Sequence, residues 1–205
     1  MNRKLLAALA AACLYAAPAL AQSQQPPATP FGLRMGMTLA DLARFHPEAR
    51  RTPGVYLIDG APAAQPEFRE YMIVVSPHQG LCKVVGMGRI IETPESGEAL
   101  RASFDRLESL LAGKYGDGNQ IDDLKEGSPW SGDRDWMMSL RQRDRTYRTT
   151  WSTADGDALP PNLQYVEIDA SAASEPGLGS VLLTYEFTNF AQCRGDLDAQ
   201  RGNAF

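Results

Sequence analysis

The chain has 205 residues, 20 Lys plus Arg against 25 Asp plus Glu, and a formal net charge of −5. That balance argues against nucleic acid or an anionic lipid surface as a general partner, because both reward clustered Lys and Arg. The length suits one domain with a single buried core, or two small ones.

Met1 to Lys4 supply a short positive start, Leu5 to Ala17 are almost wholly apolar, and Ala19-Leu20-Ala21 places small residues where a signal peptidase reads. The pattern predicts a cleaved signal peptide over residues 1–21, with cleavage after Ala21, and a periplasmic mature protein. The apolar run is shorter than the ~18 residues a membrane span needs. Removing it takes out Arg3 and Lys4 and no carboxylate, so the remainder is more acidic still.

Cys13 leaves with the signal, which leaves Cys82 and Cys193. An even cysteine count in an oxidising compartment predicts a disulfide between them. Neither thiol has a Cys-x-x-Cys partner or a nearby His, so no metal site is expected.

Residues 22–30 are polar and proline-rich and read as a flexible linker. A single α+β domain is expected over 31–193. Thr38 opens a helix with Asp41 at the third position, Met37 and Leu42 stand at staple positions, and Pro47 ends the helix at His46. Val55–Ile58, Tyr71–Val75 and Leu81–Ile91 read as strands, the last two joined as a hairpin through Pro77-His78-Gln79-Gly80.

The period then changes. Thr93 and Pro94 read as cap and first position of a long helix over about 93–115, with Leu100, Phe104, Leu107 and Leu111 as its apolar stripe and Gly116 just beyond it. Residues 116–132 read as loop, and Asp133–Arg143 as a short helix. Thr146–Trp151, the alternation of Val166, Ile168, Ala170 and Ala172, and that of Val181, Leu183, Tyr185 and Phe187 predict three antiparallel strands, each with one polar face. Glu175-Pro176-Gly177 joins the last two. Residues 194–205 read as a disordered tail. The expected architecture is an antiparallel sheet of about five or six strands, with the long helix and two short ones packed on one face. The disulfide would bring the 81–91 strand close to the 180–190 strand, with Cα atoms of the two cysteines within about 7 Å.

Candidate chemistry is sparse. There is no Gly-x-Ser-x-Gly, and His46 and His78 lie at a helix end and in a turn. Asp117–Ile121 and Asp155-Gly156-Asp157 start like calcium loops but lack the ligand pattern, and read as turns. Gly86-Met87-Gly88 lacks a third glycine and marks close strand packing. Arg194-Gly195-Asp196 is read as without function. Glu167, Asp169 and Glu186 should share one wet sheet face; two such carboxylates could hydrolyse a glycosidic bond, whereas Arg148 pairing across the strands would make them a solvated face. Arg141, Arg143 and Arg145 lie close to Trp130, and such residues are enriched in protein-binding hot spots, so they form a candidate contact patch for an acidic partner.

Phe31-Gly32-Leu33 with Gly36-Met37-Thr38, Gly80-Leu81-Cys82-Lys83, Lys114-Tyr115-Gly116, and Tyr185-Glu186-Phe187 with Asn189 and Cys193 span nearly the whole mature chain. This layout resembles exported, periplasmic proteins of Gram-negative bacteria that have no assigned activity, so the resemblance implies fold and export alone. Gly36-Met37-Thr38 entering a short helix is similar to the opening of small outer-membrane assembly lipoproteins and related inhibitor-like domains. The lipidated cysteine of those lipoproteins has no counterpart here.

The combined expectation is a non-enzymatic periplasmic protein-binding module, either an envelope accessory or an inhibitor or immunity-type protein. It would have no catalytic residue, metal or cofactor, and its partner would be another envelope or periplasmic protein. Two alternatives are an envelope glycan hydrolase using Glu167 or Asp169 with Glu186, and a carrier of a small apolar ligand held between the long helix and the sheet.

Overall fold

The computed structural model describes residues 25–202. The expected signal peptide and Cys13 lie outside the described residues. The first regular element is a 3-10 turn at Pro30–Gly32, and just before it Ala28 exchanges two hydrogen bonds with the Asn162 side chain. Helix α1 (Leu39–Leu42) follows and runs into a second 3-10 turn at Ala43–Phe45. Strands β1 (Glu48–Ala49), β2 (Val55–Ile58), β3 (Phe68–Ser76), β4 (Gly80–Gly88) and β5 (Ile91–Glu92) come next. Then come helix α2 (Glu98–Tyr115), β6 (Asn119–Leu124), α3 (Trp136–Arg141), β7 (Arg145–Ser152), β8 (Leu163–Ala172), β9 (Leu178–Phe187) and α4 (Phe190–Gly202).

These strands form one nine-stranded sheet in the order β1-β2-β3-β4-β9-β8-β7-β6, with β5 also paired to β9, and every pairing is antiparallel. The expected α+β architecture of five or six strands under one long and two short helices is therefore wrong: the fold is sheet-rich, with nine strands and four α-helices among the described residues. Three differences account for most of this. Residues 119–124, read as loop, pair with β7 as an edge strand. Residues 190–202, expected to be mostly tail, form α4, with Leu197 buried. Helix α2 starts at Glu98 rather than near Thr93, because Gly97 takes the cap position at φ 75. A Cβ there would run into the Trp136 ring, so the position is closed to other residues on two counts. Thr93 still serves the helix, since its hydroxyl accepts from the Ala99 amide at 3.1 Å.

Elsewhere the local chemistry acts as expected. The Thr38 hydroxyl accepts from the Asp41 amide while Asp41 accepts from the Thr38 amide at 2.8 Å, a full capping box. Those hydrogen bonds hold the Asp41 carboxyl below its ordinary pKa. Cys82 and Cys193 are joined, with Cα atoms 6.4 Å apart. β4 and β9 are direct neighbours, Val84 opposite Tyr185.

The core lies on one face of the sheet. Val166, Ile168, Val181, Leu183, Tyr185, Trp151 and Ile73 point there. They meet Leu100, Phe104, Leu107, Leu111 and Tyr115 of α2 and Trp136 and Met137 of α3. Phe31 inserts into this layer against Phe68, Tyr71 and Tyr185, with ring centroids 5.1, 4.7 and 5.8 Å away. Gly86 makes that insertion possible: a Cβ on it would stand 2.8 Å from both the Phe31 and Phe68 rings. Helix α4 lies at the other side, against β3 and β4.

Candidate functional site

Cross-strand partners in an antiparallel sheet project to the same face. The rows Lys83–Glu186–Tyr165, Val85–Thr184–Glu167 and Met87–Leu182–Asp169–Arg148 therefore all lie opposite the core. The register thus brings Glu167, Asp169 and Glu186 together on the face expected for them. Lys83 Nζ lies 3.1 Å from Glu186 Oε1 and 5.4 Å from the centroid of the Phe190 ring of α4. Glu167 Oε2 accepts from the Tyr165 hydroxyl at 2.6 Å and from Arg148 Nη1 at 3.4 Å. Arg148 stands opposite Asp169 in register but bonds Glu167 on the diagonal.

This leaves Asp169 as the one carboxylate of the three with no hydrogen-bond donor among the described residues. Burial pushes its pKa up to about 6, Glu167 adds to the rise, and Arg148 opposes it. Burial also raises the Tyr165 hydroxyl, helped by its bond to Glu167. Chemically, this face holds two charge-paired carboxylates and one whose pKa burial raises to about 6. Among the described residues, the helices packed on β7, β8 and β9 are α2 and α3, and both lie on the opposite face. Even so, the Glu186 and Glu167 side chains are only 16% and 20% exposed.

The Arg and Trp stretch is dispersed by the fold. Trp136 and Trp151 belong to the core. Arg141 is turned inward, its Nε donating to the Ala173 carbonyl at 3.2 Å and its Nη2 3.8 Å from Glu95. Arg145 is held by the Ser139 hydroxyl and an ion pair with Asp122. Trp130 is half-buried in its loop. Arg143 is exposed, at φ 60 just beyond α3. Of the four residues in the expected contact patch, two are committed to internal contacts.

Other flagged residues find structural uses. Asp196 sits within α4 and accepts from the buried Ser76 hydroxyl at 2.6 Å, with His78 Nδ1 3.6 Å away. Asp196 of the Arg-Gly-Asp tripeptide is thus part of the seam that holds α4 to the sheet, while Arg194 and Gly195 are exposed. Asp157 accepts from the Ser152 amide at 2.7 Å, an ordinary turn contact. Among the described residues, no group of three or more His, Cys, Asp or Glu is placed to hold a metal ion. Nor is any described helix long and apolar enough to cross a membrane.

A second surface feature lies where the apolar-ligand alternative would place its ligand, between α2 and the sheet. Two lobes form a trough alongside α2 on the core side of the sheet. One lobe, of ≈ 300 Å³, is lined by Phe68, Gly88, Arg89, Ser103, Arg106 and Val181. The other, of ≈ 290 Å³, is lined by Phe31, Leu110, Leu111, Lys114, Leu183 and Tyr185. Glu67, Phe68 and Leu107 line both. The signal available in sequence is the spacing Arg106, Leu110, Lys114, which sets one flank of α2 beside its buried stripe. No protein-family model, no curated protein and no solved structure matches this chain.

Proposed function

We propose that the protein is a non-enzymatic, periplasmic binding module that recognises another envelope protein through the polar face of β4, β9, β8 and β7. The observation that carries this reading is a sheet face, left free by α2 and α3 and bounded over β3 and β4 by α4, whose side chains are already half-desolvated and largely charge-paired. Lys83–Glu186 and Arg148–Glu167 fix a pattern of charge that can select a partner. Met72, Met87 and Leu182 stand among them as half-buried apolar contacts. The signal-like residues 1–21 and the Cys82–Cys193 link support an oxidising compartment. An envelope accessory or an inhibitor-type protein would both use such a face.

A photo-crosslinking residue placed at Leu182, in cells of the source organism, tests this. A covalent adduct of defined mass is expected from position 182 and not from position 143, and Glu186→Lys should abolish it. No adduct at 182, or equal adducts at both positions, would overturn the proposal.

One observation favours a paired-carboxylate hydrolase as a second reading: Asp169, with its raised pKa, lies two residues from the charge-paired Glu167. Turnover of peptidoglycan fragments that disappears in folded Asp169→Asn and Glu186→Gln would establish it and displace the binding reading.

A further inference from the structure

We propose that the trough beside α2 is a binding site for a long-chain alkyl anion, its head group held by Arg89 and Arg106 and its chain running over Phe68 and Leu107 toward Leu183 and Tyr185. This site lies on the opposite side of the sheet from the face proposed for the protein partner, and it stands independently of that reading.

Charge is the first argument. In a chain of net −5, the two lobes are lined by three cations, Arg89, Arg106 and Lys114, and one carboxylate, Glu67. The sorting is built into α2. Its other flank carries Asp105 and Glu108, and these are occupied internally. Asp105 lies 3.4 Å from the Tyr147 hydroxyl, whose pKa burial and this carboxylate push up to about 12. Glu108 accepts from Thr149 at 2.6 Å. Arg106 and Lys114 are left exposed on the trough side. Arg89 is anchored there, because its Nε donates to the Pro66 carbonyl at 2.6 Å and so holds the guanidinium at the rim. A guanidinium fixed in this way is suited to a carboxylate or another oxyanion.

Shape and polarity are the second argument. The floor is made by Phe68, Leu107, Val181 and Leu183, side chains already turned to the core. The wall at Leu110 is 65% exposed, the most water-facing large apolar side chain described. Apolar walls with a few placed polar groups are the pattern of small-ligand sites. Beneath the trough, β4 and β9 pair with each other, so an extended polypeptide laid in it would find no strand edge for its backbone groups. A methylene chain has no such groups to satisfy.

The probes are dodecanoate, dodecanol and dodecyltrimethylammonium, each below its micellar concentration, added to isotope-labelled protein and followed by amide shifts and calorimetry. Dodecanoate should saturate and move the amides of Phe68, Gly88 and Leu107, while dodecyltrimethylammonium should not. Arg89→Glu with Arg106→Glu should weaken dodecanoate by about tenfold or more and improve the ammonium probe. Both arginines are exposed, so the fold should survive, and an unchanged melting curve verifies it. Leu110→Asp should weaken the anion and the alcohol together. Absence of saturable dodecanoate binding to the folded protein overturns the site. Equal binding of all three probes, unaffected by the arginine changes, overturns its preference for anions. Adducts at Leu182 would be unaffected by either failure.

Discussion

Replacing both Cys82 and Cys193 with alanine tests how much of the stability rests on a single covalent link. Both side chains are fully buried, so alanine avoids stranding a serine hydroxyl. The two positions are 111 residues apart. Closing a loop of that length in the unfolded chain removes conformational freedom worth about 4.7 kcal/mol at 25 °C. For a domain of this size that corresponds to a melting temperature lower by ~10–20 °C. Urea unfolding followed by tryptophan fluorescence is suited to the measurement, since Trp136 and Trp151 are buried and change environment on unfolding. Reduced wild-type protein serves as the companion sample. If the link acts through the unfolded chain, it should match the double variant to within about 1 kcal/mol, with a smaller unfolding midpoint and a preserved native fold. A loss below about 1 kcal/mol in both samples would refute the reasoning. A large loss in the variant alone would assign the effect to packing of the sulfur atoms.

Gly86→Ala should lower stability by about 1–3 kcal/mol in the same titration, because the new methyl meets the Phe31 and Phe68 rings. Asp169→Asn should stabilise the protein at pH 7 by ~1–3 kcal/mol. The native pKa of about 6 lies above the ordinary 3.8, so the folded state holds the extra proton between those values. Its contribution to stability is therefore lost as pH rises through 6, and the asparagine variant should flatten that part of the stability curve, as urea titrations from pH 4.5 to 7.5 will show. Asp196→Ala should cost about 1–3 kcal/mol by leaving the buried Ser76 hydroxyl without its acceptor. Hydrogen exchange should locate the loosening in α4 and the end of β3.

Strong periodicity was legible. The alternation in 163–172 and 178–187 predicts both the strands and which side chains face the core, and the same parity places Glu167, Asp169 and Glu186 on the outer face. Edge strand β6 was not legible because Asn119, Gln120, Asp122 and Asp123 are all exposed and show no apolar alternation. What makes it a strand is pairing with β7 and the Asp122–Arg145 ion pair, both tertiary. Its charges also suit an edge that should not recruit another chain. Helix α4 hides for a similar reason: Cys193 and Leu197 are its buried anchors, and the Leu197 methyls fill the space above Gly54, far away in sequence. The lining of the trough was not legible as a motif because one flank of α2 meets residues from β3, β4, β9 and the turn at Phe31, which only the fold brings together.

The position of β9 has a consequence for biosynthesis. The last strand of the chain is a central strand of the sheet, seated between β4 and β8. As residues emerge in order, the meander β1–β4 can pair early, but the outer edge of β4 stays open until residue 187 has been made. Residues up to Phe187 must exist before the two halves can zip together, which slows assembly and leaves a bare strand edge exposed to neighbouring molecules meanwhile. A nascent chain of this kind depends on protection from aggregation at that one edge, and truncations that stop short of β9 should accumulate as insoluble material.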